Sequence, residues 1–185
     1  MPTSPRRKRR DGTVVRFRPR PGVLGREADE PASVSSWEPE AASSRGDDLF
    51  AAVVGSKAHR TRHEDAVVRL VNEFRVKKNL PRLRVDERLR AAARAHSEDM
   101  AHRGFCAHEN PDGVTPAARM TAAGHPAPGA ENVARGQETP RSVMNAWIAS
   151  PGHHANLVNP SFTAIGVGVS FAGARGPCWT QNFGY

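Results

Sequence analysis

From Arg62 onward the apolar residues fall into a helical rhythm. Val67, Leu70, Val71 and Phe74 occupy positions i, i+3, i+4 and i+7, the stripe of an amphipathic helix. The run Asn79-Leu80-Pro81 ends it, because proline carries no N–H and clashes with the preceding turn. A second helix is predicted from about Asp86, whose carboxylate suits the cap position, with Leu89, Ala93, His96 and Met100 along one face. On that face His96 is expected to be a hydrogen-bonded core histidine. Thr115-Pro116, Thr139-Pro140 and Ser150-Pro151 repeat one grammar: a side-chain oxygen facing orphan amides, then a proline with its φ already set. The first of these three short helices should end at Gly124, and the second carries Val143, Met144, Trp147 and Ile148, with Trp147 as a core anchor. Residues 164–171 and 178–183 then read as the strands of a last hairpin turning through 172–177. Gly166 and Gly168 leave room on it for another backbone to approach.

Residues 1–60 carry no sustained period of either kind. Pro21-Gly22, Pro31, Pro39 and the serines 33, 35, 36, 43 and 44 give the second part of that stretch the composition of a linker. The expected organisation is therefore a basic arm and Pro/Ser-rich linker over 1–60, disordered, followed by one domain over 62–185.

Three short segments carry candidate chemistry. His108 opens His-Glu-Asn-Pro-Asp-Gly, where Pro111-Asp112-Gly113 has the composition of a turn. Glu131 lies in Ala-Glu-Asn-Val-Ala at the mouth of a short strand, and His153 stands in the first turn of the helix that Ser150 caps. Each alone has an ordinary structural explanation; their succession inside one compact stretch reads as a site.

The runs Phe105-Cys106-Ala107-His108-Glu109-Asn110-Pro111-Asp112-Gly113, Glu131-Asn132-Val133-Ala134, Trp147 to Leu157, Phe162 to Gly168 and Trp179-Thr180-Gln181-Asn182-Phe183-Gly184 resemble the bacterial form of the CAP domain, also called the SCP domain. The resemblance covers roughly Arg62 to Tyr185. It implies an α+β fold, the α-β-α sandwich of that superfamily, with a cleft lined by two histidines and two acids that in some members hold a divalent metal. Carried over by position, the histidines are His108 and His153 and the first acid is Glu131. The second acid is expected five or six residues before Trp147, where this chain has Ser142 and Arg141. Ser142 is thus expected in the place of the missing acid, Arg141 facing solvent. The glycine usual before the first acid is Ala130.

This departure sets the expected chemistry. Two neutral imidazoles suit zinc, nickel or copper, but a closed structural zinc site needs four protein ligands. With His108, His153 and Glu131 alone, any zinc site should be open and weak. His154 is no substitute, since neighbouring helical residues diverge by about 100°. The resemblance and this loss together favour a non-catalytic binding or interaction module for a small ligand, lipid or peptide. A metal-assisted hydrolase using the same cleft, and a tether to the envelope or to nucleic acid through the basic arm, are the alternatives.

Charge is unevenly spread. The net charge is +8, and the first twenty residues hold eight basic groups against Asp11 alone, a composition suited to an anionic polymer. The pairs Arg6-Arg7 and Arg9-Arg10 resemble those of export signals, but no apolar core follows them, whereas the family resemblance implies an extracellular protein. No transmembrane segment is expected, and the domain is taken as a monomer. Cys106 and Cys178 leave two readings open. In an oxidising compartment they form a disulfide closing a long loop, contributing about 3–4 kcal/mol; otherwise they are two buried free thiols.

Overall fold

The computed structural model describes residues 44–185, with side chains from Ser56 onward, so the basic arm and most of the expected linker lie outside the described residues. The elements are α1 (Ser44–Lys77), β1 (Arg84–Val85), α2 (Glu87–Arg103), α3 (Pro116–Ala122), β2 (Pro128–Arg135), α4 (Pro140–Ala149), α5 (Pro151–Leu157), β3 (Ala164–Ser170) and β4 (Cys178–Gly184). The first helix begins at Ser44, ahead of Arg62 where the apolar stripe starts. Between Pro39 and Pro81 no proline interrupts the chain. A helix already formed therefore propagates one hydrogen bond per residue, without needing an apolar stripe in every turn. Its other end is where expected, with Asn79 at φ 58° and Leu80 N donating to Arg75 O at 2.9 Å.

The four strands form one sheet in the order β1-β3-β4-β2. β3 pairs antiparallel with β4 and parallel with β1, and β2 lies antiparallel on the far side of β4. Alternation along the strands separates the layers. Ile165, Val167, Val169, Trp179 and Phe183 join Val67, Val68 and Val71 of α1, Val143, Met144 and Trp147 of α4 and Leu157 of α5 in the main core. Leu89 and Ala92 of α2, with Met120 of α3 and Ala164, form a smaller core, and Met100, Val133 and Cys178 form another. The result is the expected α-β-α sandwich. Trp147 is its anchor, 1% exposed, and its indole N–H donates to Val133 O at 3.2 Å.

Local chemistry sets the helix ends. Asp86 caps α2, accepting from Arg88 N at 2.9 Å and Leu89 N at 3.4 Å, and the Arg88 guanidinium beside it holds its carboxyl well below the usual carboxylate range. Asp86→Ala should cost about 1 kcal/mol in thermal denaturation at neutral pH. A carboxylate with a lowered folded-state pKa stabilises above its unfolded value and loses that contribution on acidification, so the penalty should shrink below pH of about 4. Thr115 and Thr139 cap α3 and α4 as expected. Ser150 does not cap α5: it stands at the cap position with extended backbone, yet its side chain makes no capping bond. It closes α4 as well as opening α5, and Pro151 removes one orphan N–H by itself.

One buried cation holds α5 in place. Arg75 on α1 is fully buried and donates to the carbonyls of Pro81 at 2.9 Å, Leu157 at 3.0 Å and Asn159 at 2.9 Å. Burial lowers its pKa, and these carbonyls, two of them at the C-terminal end of α5, supply the negative potential it needs. Arg75 thus pins the end of the helix on which His153 stands.

Candidate functional site

β2 is an edge strand, and two of its consecutive residues serve opposite layers. Glu131 points toward α2 and α3, while Asn132 points toward α5. A slip in register between Pro128 and Glu131 sets up this arrangement, and Gly129 allows it, since a Cβ there would lie 2.6 Å from Phe162 and 2.9 Å from Phe183 O. Ala130, where the family's usual glycine is missing, lies within this slip and is half-buried.

Glu131 is the hub on its side. Its carboxylate is 1% exposed; Oε1 accepts from His108 Nδ1 at 3.0 Å and Oε2 from Arg119 at 2.9 Å. Asn182, opposite Glu131 in the β2–β4 register, completes the shell. With its amide turned to satisfy both ends, it donates to Oε2 at 3.2 Å and accepts from Ala93 N at 3.2 Å. His96 lies 3.9 Å from Oε1 but donates elsewhere, from Nε2 to Ala107 O at 2.9 Å, and burial pushes its pKa down. It is the hydrogen-bonded core histidine its helix face predicted.

Arg119 is the residue that sequence reasoning missed. From α3 it reaches Glu131, the carbonyl of Val114 at 2.7 Å and the carbonyl of His108 at 2.7 Å, so one guanidinium fixes both the carboxylate and the loop carrying the histidine. A planar fork with five donors is suited to that task. A signal was present: an arginine in the turn after the Thr-Pro cap, beside a short loop ending at the cap. Nothing local to it names its partner.

On the other face, Asn132 donates to Gln181 Oε1 at 2.9 Å and to His153 O at 3.3 Å, while Asn156 donates to Asn132 Oδ1 at 2.9 Å. This amide chain ties α5 to β2. His153 is half-buried, and burial followed by the nearby His108 charge holds its pKa below the usual value. The Glu131 hydrogen bond does the reverse for His108, raising its pKa against the opposing effect of burial. The two imidazoles are thus shifted in opposite directions. His154 turns away, its ring 5.7 Å from Phe74 of α1.

Ser142 is engaged otherwise. Its hydroxyl completes a capping box with Thr139, its N–H donating to Thr139 Oγ1 at 3.1 Å and its Oγ accepting from Thr139 N at 3.1 Å; none of its bonds reaches His108, Glu131 or His153. A glutamate at this third helical position would find the same capping role. Arg141 is exposed, as expected.

The donor set fits a metal only loosely. Glu131 has a donor on each oxygen, which leaves the imidazoles of His108 and His153. Among the described residues no group of three or more His, Cys, Asp and Glu side chains is placed to hold a metal. The disulfide reading is corrected: Cys106 and Cys178 are both free, and only Cys178 is buried. Cys106 lies on the surface beyond the end of α2, whereas Cys178 enters the interior with β4. Burial raises both thiol pKa values, and the neighbouring Cys106 raises that of Cys178 further.

Residues 68–183 match the family described as CAP, the cysteine-rich secretory protein family. The chain belongs to it. The CAP domain here is 42% identical over 122 residues to "Uncharacterized protein YkwD" of Bacillus subtilis, covering 65% of this chain and 46% of that protein. It resembles an extracellular protein containing an SCP domain from Bacillus anthracis at 31% identity and TM-score 0.62, over 68% of this chain and 41% of that one. An outer surface protein of Borrelia burgdorferi follows at 26% identity and TM-score 0.58, over 63% and 87%. The chain spans less than half the length of the curated relatives it matches. Among the described residues no helix of this CAP domain is long and apolar enough to cross a membrane.

Proposed function

We propose that this CAP domain is an extracellular, non-catalytic binding module whose cleft between His108 and His153 takes a divalent transition metal weakly. The observation that carries the reading is the double engagement of Glu131 by His108 and Arg119. A carboxylate so held orients its histidine and does not ligate. It keeps the proton of neutral His108 on Nδ1 and leaves the Nε2 lone pair available, the usual arrangement behind a metal-binding imidazole. His153 supplies the second lone pair. A bound metal would contribute open coordination positions for an oxygen or nitrogen atom of a small ligand or peptide. The hydrolase reading needs Glu131 to accept a proton from water, and both its oxygens already serve donors. Among the described residues no hydroxyl or thiol is hydrogen-bonded to either imidazole. The extracellular setting is supported by the relatives described as extracellular or outer-surface proteins.

Zinc titration followed by the imidazole NMR signals of His108 and His153 tests this. Both rings should shift together, in fast exchange, and His108→Ala with His153→Ala should abolish the effect at this site. Protons compete for Nε2 of His108 first, because its pKa is raised. As pH is lowered, affinity should therefore begin to fall while the pH is still above about 6.5, the ordinary imidazole value, with one proton displaced per metal. The second proton enters only at lower pH, since the His153 value is lowered. Slow-exchange, tight binding, or rings that do not respond, would overturn the reading.

A further inference from the structure

Away from this cleft, α1 carries a second pair of imidazoles. His59 and His63 stand one turn apart, at positions i and i+4 that share a helix face. Their ring centroids are 4.3 Å apart and the rings are tilted by 49°. His63 Nδ1 lies 3.0 Å from the carbonyl oxygen of His59. A carbonyl only accepts, so Nδ1 bears the proton in the neutral ring and Nε2 keeps a free lone pair. Phe171, just beyond β3, packs 5.2 Å from each of the two rings, and Trp179 lies 6.4 Å from His63. One side of the pair is thus walled by aromatic surface while His59 remains exposed. Neither ring forms an ion pair among the described residues.

We propose that His59 and His63 form a separate bidentate site for a divalent transition metal, with Cu(II) preferred over Ni(II) and Zn(II). Two imidazole nitrogens about one helical turn apart can reach one metal at roughly 2.0–2.1 Å each. Nitrogen-only donors without thiolate or carboxylate favour the late first-row metals, and copper heads that series. Calcium and magnesium are excluded because they take oxygen ligands. The carbonyl of His59 does for His63 what the Glu131 carboxylate does for His108, holding the ring oriented with its other nitrogen free for a metal. Water fills the remaining positions. A metal bridging i and i+4 also clips one turn of α1, so binding should raise thermal stability in a metal-dependent way.

The test uses the full chain carrying His108→Ala and His153→Ala, which removes the cleft pair and makes the result independent of the proposed function. Cu(II) titration by calorimetry should retain about one equivalent of binding. Paramagnetic broadening in NMR spectra should centre on residues 59–63 and Phe171. Adding His59→Ala, at an exposed position where folding is not at stake, should weaken binding by roughly tenfold or more, since one of two ligands is lost. Adding His63→Ala as well should abolish the broadening there. The proposal is overturned if His59→Ala binds copper unchanged, or if the broadening centres on His96, His102, His125 or His154 instead.

Discussion

Replacing Glu131 with alanine is expected to cost about 3–5 kcal/mol, the scale for stranding one partner of a buried ion pair. The Arg119 side chain is 10% exposed and would keep only carbonyl partners, while the Asn182 amide would lose its acceptor. Urea denaturation reads the loss directly. A second readout is specific to the site: without the hydrogen bond that holds it up, the pKa of His108 should fall, visible in an NMR titration of the imidazole. Removing both charges together, as Arg119→Met with Glu131→Leu, should recover much of the stability, because no charge is then left unpaired. A penalty below about 1 kcal/mol for the single change would mean that water reaches Arg119 and the pair behaves as a surface one.

Gly166→Ala should be nearly as damaging. A Cβ at this position would stand 2.2 Å from the backbone N of Arg90 and 2.2 Å from the carbonyl carbon of Leu89. Those are backbone atoms, so no side-chain rotation relieves the clash, and α2 must lift from the sheet. Overpacking costs about 1–3 kcal/mol where side chains can yield; here the cost should reach about 3 kcal/mol or more. The displacement would also loosen contact between Leu89, Ala92, Ala164 and Met120, and His96 on the same helix would move relative to Glu131. Gly152→Ala, with nothing within 4 Å of the new Cβ, is the control and should leave stability level or slightly higher. A Gly166→Ala protein within about 1 kcal/mol of the parent would show that helix and strand are not in such close contact.

Much of the fold was legible because its signals are local. The stripe Val67, Leu70, Val71 and Phe74, the cap at Asp86, the Thr-Pro starts and the two glycines of β3 each state a preference of a few neighbouring residues. The structure agrees with each of these. The same local reading failed where the local signal was ambiguous. The opening of α1 combines Leu49, Phe50, Val53 and Val54 with Gly46 and Gly55, an apolar run too short and too interrupted to announce a helix continuous from Ser44. Ser150 has the residue type of a cap, but its side chain makes no capping bond. The short strand β1 has two residues, too few for a period, and exists only because β3 lies beside it.

The candidate site divides in the same way. By itself the sequence determined which candidate side chains stand where: His108 at a turn, Glu131 in a strand, His153 in a first helical turn, and Ser142 and Arg141, not an acid, five and six residues before Trp147. Tertiary structure decided what each one touches. Whether Glu131 meets a metal or an arginine depends on the approach of α3, and it meets Arg119. Whether Ser142 faces the cleft or closes its own helix depends on Thr139, and it closes the helix. Cys106 and Cys178 could be read as a bridge or as two thiols from the sequence, and in the structure both are free. The physical reason is register. Pairing Glu131 with Asn182 across β2 and β4 sends Glu131 to one layer and Asn132 to the other. That single alignment, a property of the whole sheet, ties the His108 loop to one layer through Glu131 and the His153 helix to the other through Asn132.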